Sequence, residues 1–477
     1  MQSAISIPSL RLNAALLLSL APSLALCGGR PWSVFETARD NGHLISDVSG
    51  AAVGTADAAT PLAITLDTGR KLQEIQGFGG ALTESSAWVL AQLPAAKRSE
   101  VLRRYYDPKE GIGYTLARTH INSCDFSLGF WTLDSEKGDT SLSHFSLEPM
   151  RRWVLPLIHE AQTAAGAANF HLLASPWSPP SWMKTNDRMI HGGKLIPEYR
   201  DVWADFLVRF ISAMDREEHI PVWALTVQNE PQADQTWESC IYTADEERDF
   251  VRNHLGPALA KAGMQDVHLC VLDHNRDLID EWTKAIYGDP AASRFVWGTA
   301  IHWYVSNDFA AESRAHNAYP EKAILFTEGC WESGKEMGKW EHGERYAHSM
   351  INDLRNWVCG WIDWNIVLDQ TGGPNHVGNF CDAPVIVDTK TGDVHYGFPF
   401  YCIGQFSRFV HPGARRIESE GAPGGLESVA FANPDGGLAV VVLNTTPSPV
   451  HFLIAGAGES KECSIPAHAI QTYVKGP

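Results

Sequence analysis

The sequence predicts an α/β protein: a (β/α)8 TIM barrel with an attached β-sandwich domain built from both termini. Three observations lead there. Between residues 76 and 398, eight short apolar runs alternate with amphipathic segments of helical period, the pattern of a barrel whose strands are each followed by a helix. Both ends of the chain instead carry short strand-like runs without that alternation. Two of the eight runs end in a glutamate, at the strand ends where such barrels keep their chemistry. The composition agrees, because 477 residues with 44% apolar and 10% aromatic side chains can build a sizeable core and are not a disordered chain. With 38 basic against 56 acidic residues, the net charge of −18 and the lack of a basic cluster exclude nucleic acid as a partner.

Taken in order, residues 1–27 read as a signal peptide. Arg11 is followed by the apolar run Leu12–Leu26, which has the length of a signal-peptide core and is too short to span a bilayer. Ala25-Leu26-Cys27 approximates a small-x-small cleavage site before Gly28, and Leu24-Ala25-Leu26-Cys27 approximates a lipoprotein box. The expected protein is exported, periplasmic or secreted, lipid-anchored through Cys27 under the second cleavage, and without an integral membrane span once the leader is gone. Residues 28–75 supply N-terminal strands of the sandwich, on signals such as Ala63-Ile64-Thr65-Leu66. The barrel, 76–398, takes its strands from the runs Ile75–Ala81, Tyr114–Ile121, Phe170–Ala174, Trp223–Val227, Val267–Leu272, Trp297–Tyr304, Ala323–Thr327 and Gly360–Ile366. Between the third and fourth, Trp203, Phe206, Leu207, Phe210, Ile211 and Met214 recur at helical spacing. Residues 399–477 return to strands: Ser428–Phe431 and Leu438–Leu443 flank the turn Asn433-Pro434-Asp435-Gly436-Gly437, and Ala469–Val474 adds a last one. The eight cysteines after the leader show no CxxC or CxxH spacing for zinc, and several sit in apolar runs as small hydrophobes. Their spacing assigns no disulfide.

The run ends carry the candidate chemistry. The fourth run ends Gln228-Asn229-Glu230-Pro231 and the seventh Thr327-Glu328-Gly329. The second leads from Arg118 to Asp125, the third to Trp177 and Trp182, the sixth into His302-Trp303-Tyr304, and the eighth carries Trp361, Asp363 and Trp364. Two glutamates on non-adjacent strands, ringed by aromatics, suit glycoside hydrolysis: one carboxylic acid protonates the departing oxygen while another carboxylate attacks the sugar carbon. The 17 tryptophans fit, since sugar rings stack on indoles, although core packing accounts for about half of those near the run ends. Two roles are open to Arg118 and Asp125: a structural ion pair, or places in the site where Arg118 would hydrogen-bond the nucleophile and lower its pKa. His120, His268, His274 and His302 come with no HExxH or paired-carboxylate spacing, so they read as buried, hydrogen-bonded histidines and no metal is expected. No GxGxxG, P-loop or GxSxG supports nucleotide chemistry or serine hydrolysis.

Together Gln76-Gly77-Phe78-Gly79-Gly80-Ala81, Ser123-Cys124-Asp125-Phe126-Ser127, Leu172–Trp177, Lys184-Thr185-Asn186, Asn229-Glu230-Pro231, Phe326–Cys330 and Gly372-Gly373-Pro374-Asn375 resemble glycoside hydrolase family 30. That family includes glucosylceramidase (acid β-glucosidase) and microbial endo-β-1,6-glucanases, and the match runs in order through nearly the whole chain after the leader. The resemblance implies a (β/α)8 barrel with a β-sandwich and a retaining double displacement without metal or organic cofactor. By it Glu230 is similar to the acid/base and Glu328 to the nucleophile. Asp125, Trp177, Asn229 and Trp364 match positions that contact the glucose unit, and Tyr304 and Asn379 match positions that line the same pocket. The sequence departs where Glu328 is followed by Gly-Cys-Trp, against Ala-Cys-Val in the human-type lysosomal enzyme, and where His376 replaces a Trp.

The expected function is therefore a retaining β-glycosidase acting on β-glucosidic bonds, glucosylceramidase-like, with an endo-β-1,6-glucanase as the alternative. A non-catalytic carbohydrate-binding protein is the alternative of another class, and the presence of both glutamates argues against it. A structural surface lipoprotein rests on Cys27 alone. The expected partner is a β-glucoside, either glycolipid or β-glucan; the sequence does not fix the oligomeric state.

Overall fold

The computed structural model describes residues 31–51 and 63–477, apart from 335, 422 and 457. The leader 1–27, with both cleavage readings and Cys27, lies outside the described residues. The barrel strands are β1 (Gly77–Ala81), β2 (Leu116–Ile121), β3 (His171–Pro176), β4 (Val222–Thr226), β5 (His268–Asn275), β6 (Gly298–His302), β7 (Ala323–Glu328) and β8 (Val358–Asn365). Each overlaps one apolar run of the sequence, and all neighbours pair parallel around a closed ring in chain order, β8 closing on β1. Continuous apolar runs are what a parallel strand buried on both faces requires.

Local sequence explains the closure. A Cβ on Gly79 would lie 1.9 Å from the carbonyl oxygen of Leu116, so the glycine-rich stretch Gln76–Ala81 is what lets β1 approach β2. The helix Arg200–Glu218 buries Trp203, Phe206, Leu207, Phe210, Ile211 and Met214 against the barrel. It stops at His219, whose φ of 55° is left-handed. Among the described residues no helix is long and apolar enough to cross a membrane.

The second unit is one nine-stranded sheet in the order 459–465, 450–456, 63–74, 415–420, 426–432, 438–444, 469–475, 32–38 and 46–47. Strands from the two ends of the chain interleave: Trp32–Ala38 runs antiparallel to Ala469–Lys475 over seven residue pairs, and Ala63–Glu74 lies between Val450–Gly456 and Arg415–Glu420. Phe452 meets Tyr473 edge to face at 5.9 Å although four strands separate their own, so the sheet curls over itself into a sandwich. Its interior holds Val34, Ile64, Val440, Val442, Phe452 and Ile454. The hairpin turn closes with Asn433 N–H on Gly437 O at 2.8 Å, and Gly436 at φ 90° takes the conformation other residues avoid. The helix Phe398–Ser407 joins the two units: the Thr472 hydroxyl donates to Gln405 O at 2.6 Å and the Ser407 hydroxyl to Ile112 O at 2.7 Å.

This interleaving predicts that removing residues 28–70 strips two neighbours from the C-terminal strands and exposes both apolar sheet surface and free edges. The expected product is insoluble or rapidly proteolysed. Soluble protein with an unchanged melting temperature would contradict the shared sheet.

Candidate active site

The site is built around one buried cation. Arg118, on β2, has no exposed surface, and a guanidinium taken out of water must be paired on every side. Its Nη2 donates to Asp273 Oδ2 at 2.9 Å and Asn229 Oδ1 at 2.8 Å, its Nε donates to Ser175 Oγ at 3.1 Å, and its Nη1 bonds Glu328. The cation thus joins the ends of β3, β4, β5 and β7. Of the two roles open to Arg118 in the sequence, pairing with Asp125 is not found; its carboxylate partners are Asp273 and Glu328.

Asp273 is the second hub. The pairing of β5 with β6 slips between Leu272 and His274, and Leu272 and Asp273 have φ of 73° and 50°. Such bulges re-aim a side chain, here into the barrel. Asp273 Oδ2 also accepts from Thr226 Oγ1, while Oδ1 accepts from Thr327 Oγ1, both at 2.7 Å, and meets His302 Nε2 at 3.1 Å. Despite burial, Arg118 and His302 hold this carboxyl far below the usual range. Its backbone oxygen accepts from Glu230 N–H at 2.9 Å and so fixes a residue whose own φ is 47°.

The two glutamates differ in their donors. Glu328 accepts from Arg118 and from Tyr304 Oη, the latter at 2.9 Å. Glu230 meets His302 Nδ1 at 3.3 Å and lies 3.9 Å from His274 Nδ1. Burial pushes Glu328 up against His302 and Arg118; at Glu230 burial is outweighed by the His302 hydrogen bond and the nearby His274, His302 and Arg118. Taken together, burial, the neighbouring charges and these bonds favour the pair's proton on Glu328. Glu328 nevertheless has the closer donors, a direct, desolvated Arg118 ion pair plus a phenol hydroxyl, against one longer contact at Glu230.

Asp125, Trp177, Asn229, Glu230, Tyr304, Glu328, Trp364 and Asn379 line one pocket of about 270 Å³. Arg118 lies beneath it, with its Cζ 4.8 Å from the Trp177 ring. Trp177 and Trp364 stack at 5.3 Å and form an apolar wall. In the same lining, Asp125 accepts from Asn379 at 3.0 Å and Asn375 at 3.3 Å, and burial raises its pKa to about 7. Indoles together with amide and carboxyl groups in one lining suit a sugar ring, which is apolar on its faces and hydroxylated at its rim. Trp203, Trp282 and Trp361 are instead core.

Ligating atoms of Glu230, His274 and His302 fall within 4.8 Å of one another, a set that could hold a metal by number. His302 does not fit that role. Although burial opposes it, Glu328, Asp273 and Glu230 raise its pKa to about 9, and each ring nitrogen faces a carboxylate. It is an imidazolium, a donor on both sides. The sequence reading missed Asp273, although an acid ending the fifth run was the same signal that marked Glu230 and Glu328. It also missed Gln235, Trp237, Val305 and Glu332, which line the same pocket; Val305 directly follows the sixth run, and the other three stand on loops beyond the run ends.

Models of the glycosyl hydrolase family 30 TIM-barrel domain and β-sandwich domain match residues 75–410 and 413–473. The chain belongs to glycoside hydrolase family 30. This family 30 chain is 36% identical to lysosomal acid glucosylceramidase of Mus musculus, over 93% of the chain and 88% of the relative. It is 31% identical to endo-1,6-beta-D-glucanase of Neurospora crassa, over 96% and 98%. Among solved structures it resembles SrfJ from Salmonella typhimurium with a TM-score of 0.88 and 32% identity, covering 94% of this chain and all of that one (100%). Like its family, it is an O-glycosyl hydrolase.

His302 gives the family 30 site a pH signature. With its pKa raised from 6.5 to about 9, its stabilising contacts are complete below pH 6.5 and are lost as pH rises through 9. Such a shift is worth at most about 3 kcal/mol. His302→Gln removes it, so the gap in melting temperature between parent and variant should be widest at about pH 6 and narrow between pH 6.5 and 9. Thermal melts across that range measure the gap. One that does not change with pH would contradict a charged His302.

Proposed function

We propose that this retaining β-glucosidase is glucosylceramidase-like, with Glu328 as nucleophile and Glu230 as acid/base. Glu230 gives its proton to the glycosidic oxygen as the bond breaks, and Glu328 attacks the anomeric carbon to form a covalent glycosyl-enzyme. Water deprotonated by Glu230 then releases the sugar with its β configuration kept. Arg118 and Tyr304 hold Glu328 as an oriented anion. Once Glu328 is esterified, its like charge no longer raises the acidity threshold of Glu230, which can act as base. Asn229 would hold a sugar hydroxyl beside the acid, a role that its bond from Arg118 supports.

The observation that carries the glycolipid reading is the rim. Among the described residues five large apolar side chains stand exposed, and four of them lie on barrel-top loops: Leu128 (41%) and Phe130 (55%) after β2, Val305 (69%) after β6 and Phe380 (41%) after β8. Val305 reaches the pocket itself. Exposed apolar groups gathered around one mouth suit an apolar aglycone and are wasteful for a polysaccharide. The likeness to the mouse glucosylceramidase supports the same choice. Gln235, Trp237 and Glu332 at the mouth favour a second reading, an endo-β-1,6-glucanase with a further sugar subsite, as does the likeness to the Neurospora enzyme. We infer export from the leader, Arg11 followed by Leu12–Leu26.

Hydrolysis of detergent-dispersed glucosylceramide and of pustulan, a β-1,6-glucan, should differ in favour of the lipid. Phe130→Ser should raise KM for glucosylceramide about tenfold, from roughly 1.5 kcal/mol of lost apolar burial, and leave a nitrophenyl β-glucoside unaffected. Pustulan cleavage without glucosylceramide cleavage would select the second reading. Failure on every β-glucoside would select a binding protein.

A further inference from the structure

Two thiols stand together at the pocket wall, and the mechanism above uses neither. Cys330, two residues beyond Glu328, and Cys381, two beyond Asn379, are each only 2% exposed, yet both border the pocket. Their segments run antiparallel: Glu332 bridges Cys381, Asp382 N–H donates to Trp331 O at 2.9 Å and Ser333 N–H to Phe380 O at 3.0 Å. In that register residues 330 and 381 are diagonal neighbours on one face of the ladder. Both share an apolar cluster with Trp177, Trp364 and Ala383, and Cys381 Sγ donates to Asn379 O at 3.9 Å. Among the described residues all eight cysteines are free and buried, but only these two reach the pocket. Cys330 Sγ is also 3.6 Å from Tyr304 Oη, the hydroxyl that donates to Glu328.

We propose that Cys330 and Cys381 form a dithiol site at the mouth of the active-site pocket that captures thiophilic electrophiles giving a neutral bis-thiolate, trivalent organoarsenicals and Hg²⁺, and that capture shuts the enzyme off. Neutrality decides the class. A monovalent soft ion such as Cu⁺ would leave an anionic bis-thiolate in an apolar cluster close to the Glu328 carboxylate, which burial and like charge both disfavour. With an arsenoxide, R–As=O, both S–H bonds break, two As–S bonds form and the oxygen leaves as water carrying both protons. Arsenic stays trivalent, so no oxidant is needed. With Hg²⁺ the two protons are released to solvent. The bridge puts a bulky group against the sugar wall and engages the sulfur beside Tyr304, so it blocks the pocket and disturbs the donor on Glu328.

The test uses the full protein, phenylarsine oxide and a nitrophenyl β-glucoside. The expected result is loss of activity at one equivalent, a mass gain of one phenylarsenic bridge less two protons, and recovery with 2,3-dimercaptopropanol but not with a monothiol. A sugar-ring inhibitor bound in the pocket should protect. Cys381→Val should turn over normally and require at least tenfold more reagent for half-inactivation. Cys330→Ser, followed by mass alone, should take up no bridge at that dose. Inactivation of parent and Cys381→Val at equal dose, a bridge at other cysteines, or a bridged protein that keeps full activity would each overturn the proposal.

Discussion

The buried guanidinium of Arg118 is the constraint on which the rest of the site depends. Such a charge is tolerated only because Asp273 and Glu328 neutralise it and Asn229 and Ser175 take its remaining protons. Removing any one carboxylate partner would leave a desolvated cation at a cost of about 3–5 kcal/mol. The same bonds fix Glu328 and Asn229, the neighbour of Glu230, because each acceptor sits at the end of a different barrel strand. What keeps the interior electrically satisfied also sets the separation and orientation of the two glutamates.

A second consequence concerns charge at the bottom of the pocket. Arg118 and His302 are cations; Asp273 and one glutamate balance them, and the other glutamate can carry a proton. Retaining hydrolysis needs that inventory, one carboxylate and one carboxylic acid within reach of the same sugar. Asp273 does not line the pocket, but it anchors the side chain of His302 and the backbone of Glu230, so both glutamates are held by the same network. The indole wall of Trp177 and Trp364 covers the guanidinium and excludes water from it, which strengthens these interactions.

The barrel was legible in the sequence because parallel strands buried on both faces leave unbroken apolar runs, and all eight run positions overlap strands. The hairpin around Gly436 was legible from its turn residues. The pairing of Trp32–Ala38 with Ala469–Lys475 has no local signal, since its partners are more than four hundred residues apart; it followed only from finding strand patterns at both ends. Glu230 and Glu328 stood out as acids closing apolar runs. Asp273 carried the same mark, but its importance comes from a bulge, and a slip of register is invisible in composition. The role of Arg118 could not be chosen from sequence because its actual partners, Asp273 and Glu328, lie on other strands more than 150 residues away. The tryptophans divide as expected between wall and core, and which is which depends on packing alone.

The central claim is that this network makes Glu328 the nucleophile and Glu230 the acid/base, and the anomer of an azide product tests it most directly. With dinitrophenyl β-glucoside, whose leaving group needs little protonation, Glu230→Ala should still form the glycosyl-enzyme, and azide should release it as the β-glucosyl azide. Glu328→Ala cannot form that intermediate, so direct attack by azide should give the α product. Proton NMR of the two products reads the answer. The β anomer from Glu230→Ala and the α anomer from Glu328→Ala are what the account predicts; the reverse assignment would contradict it.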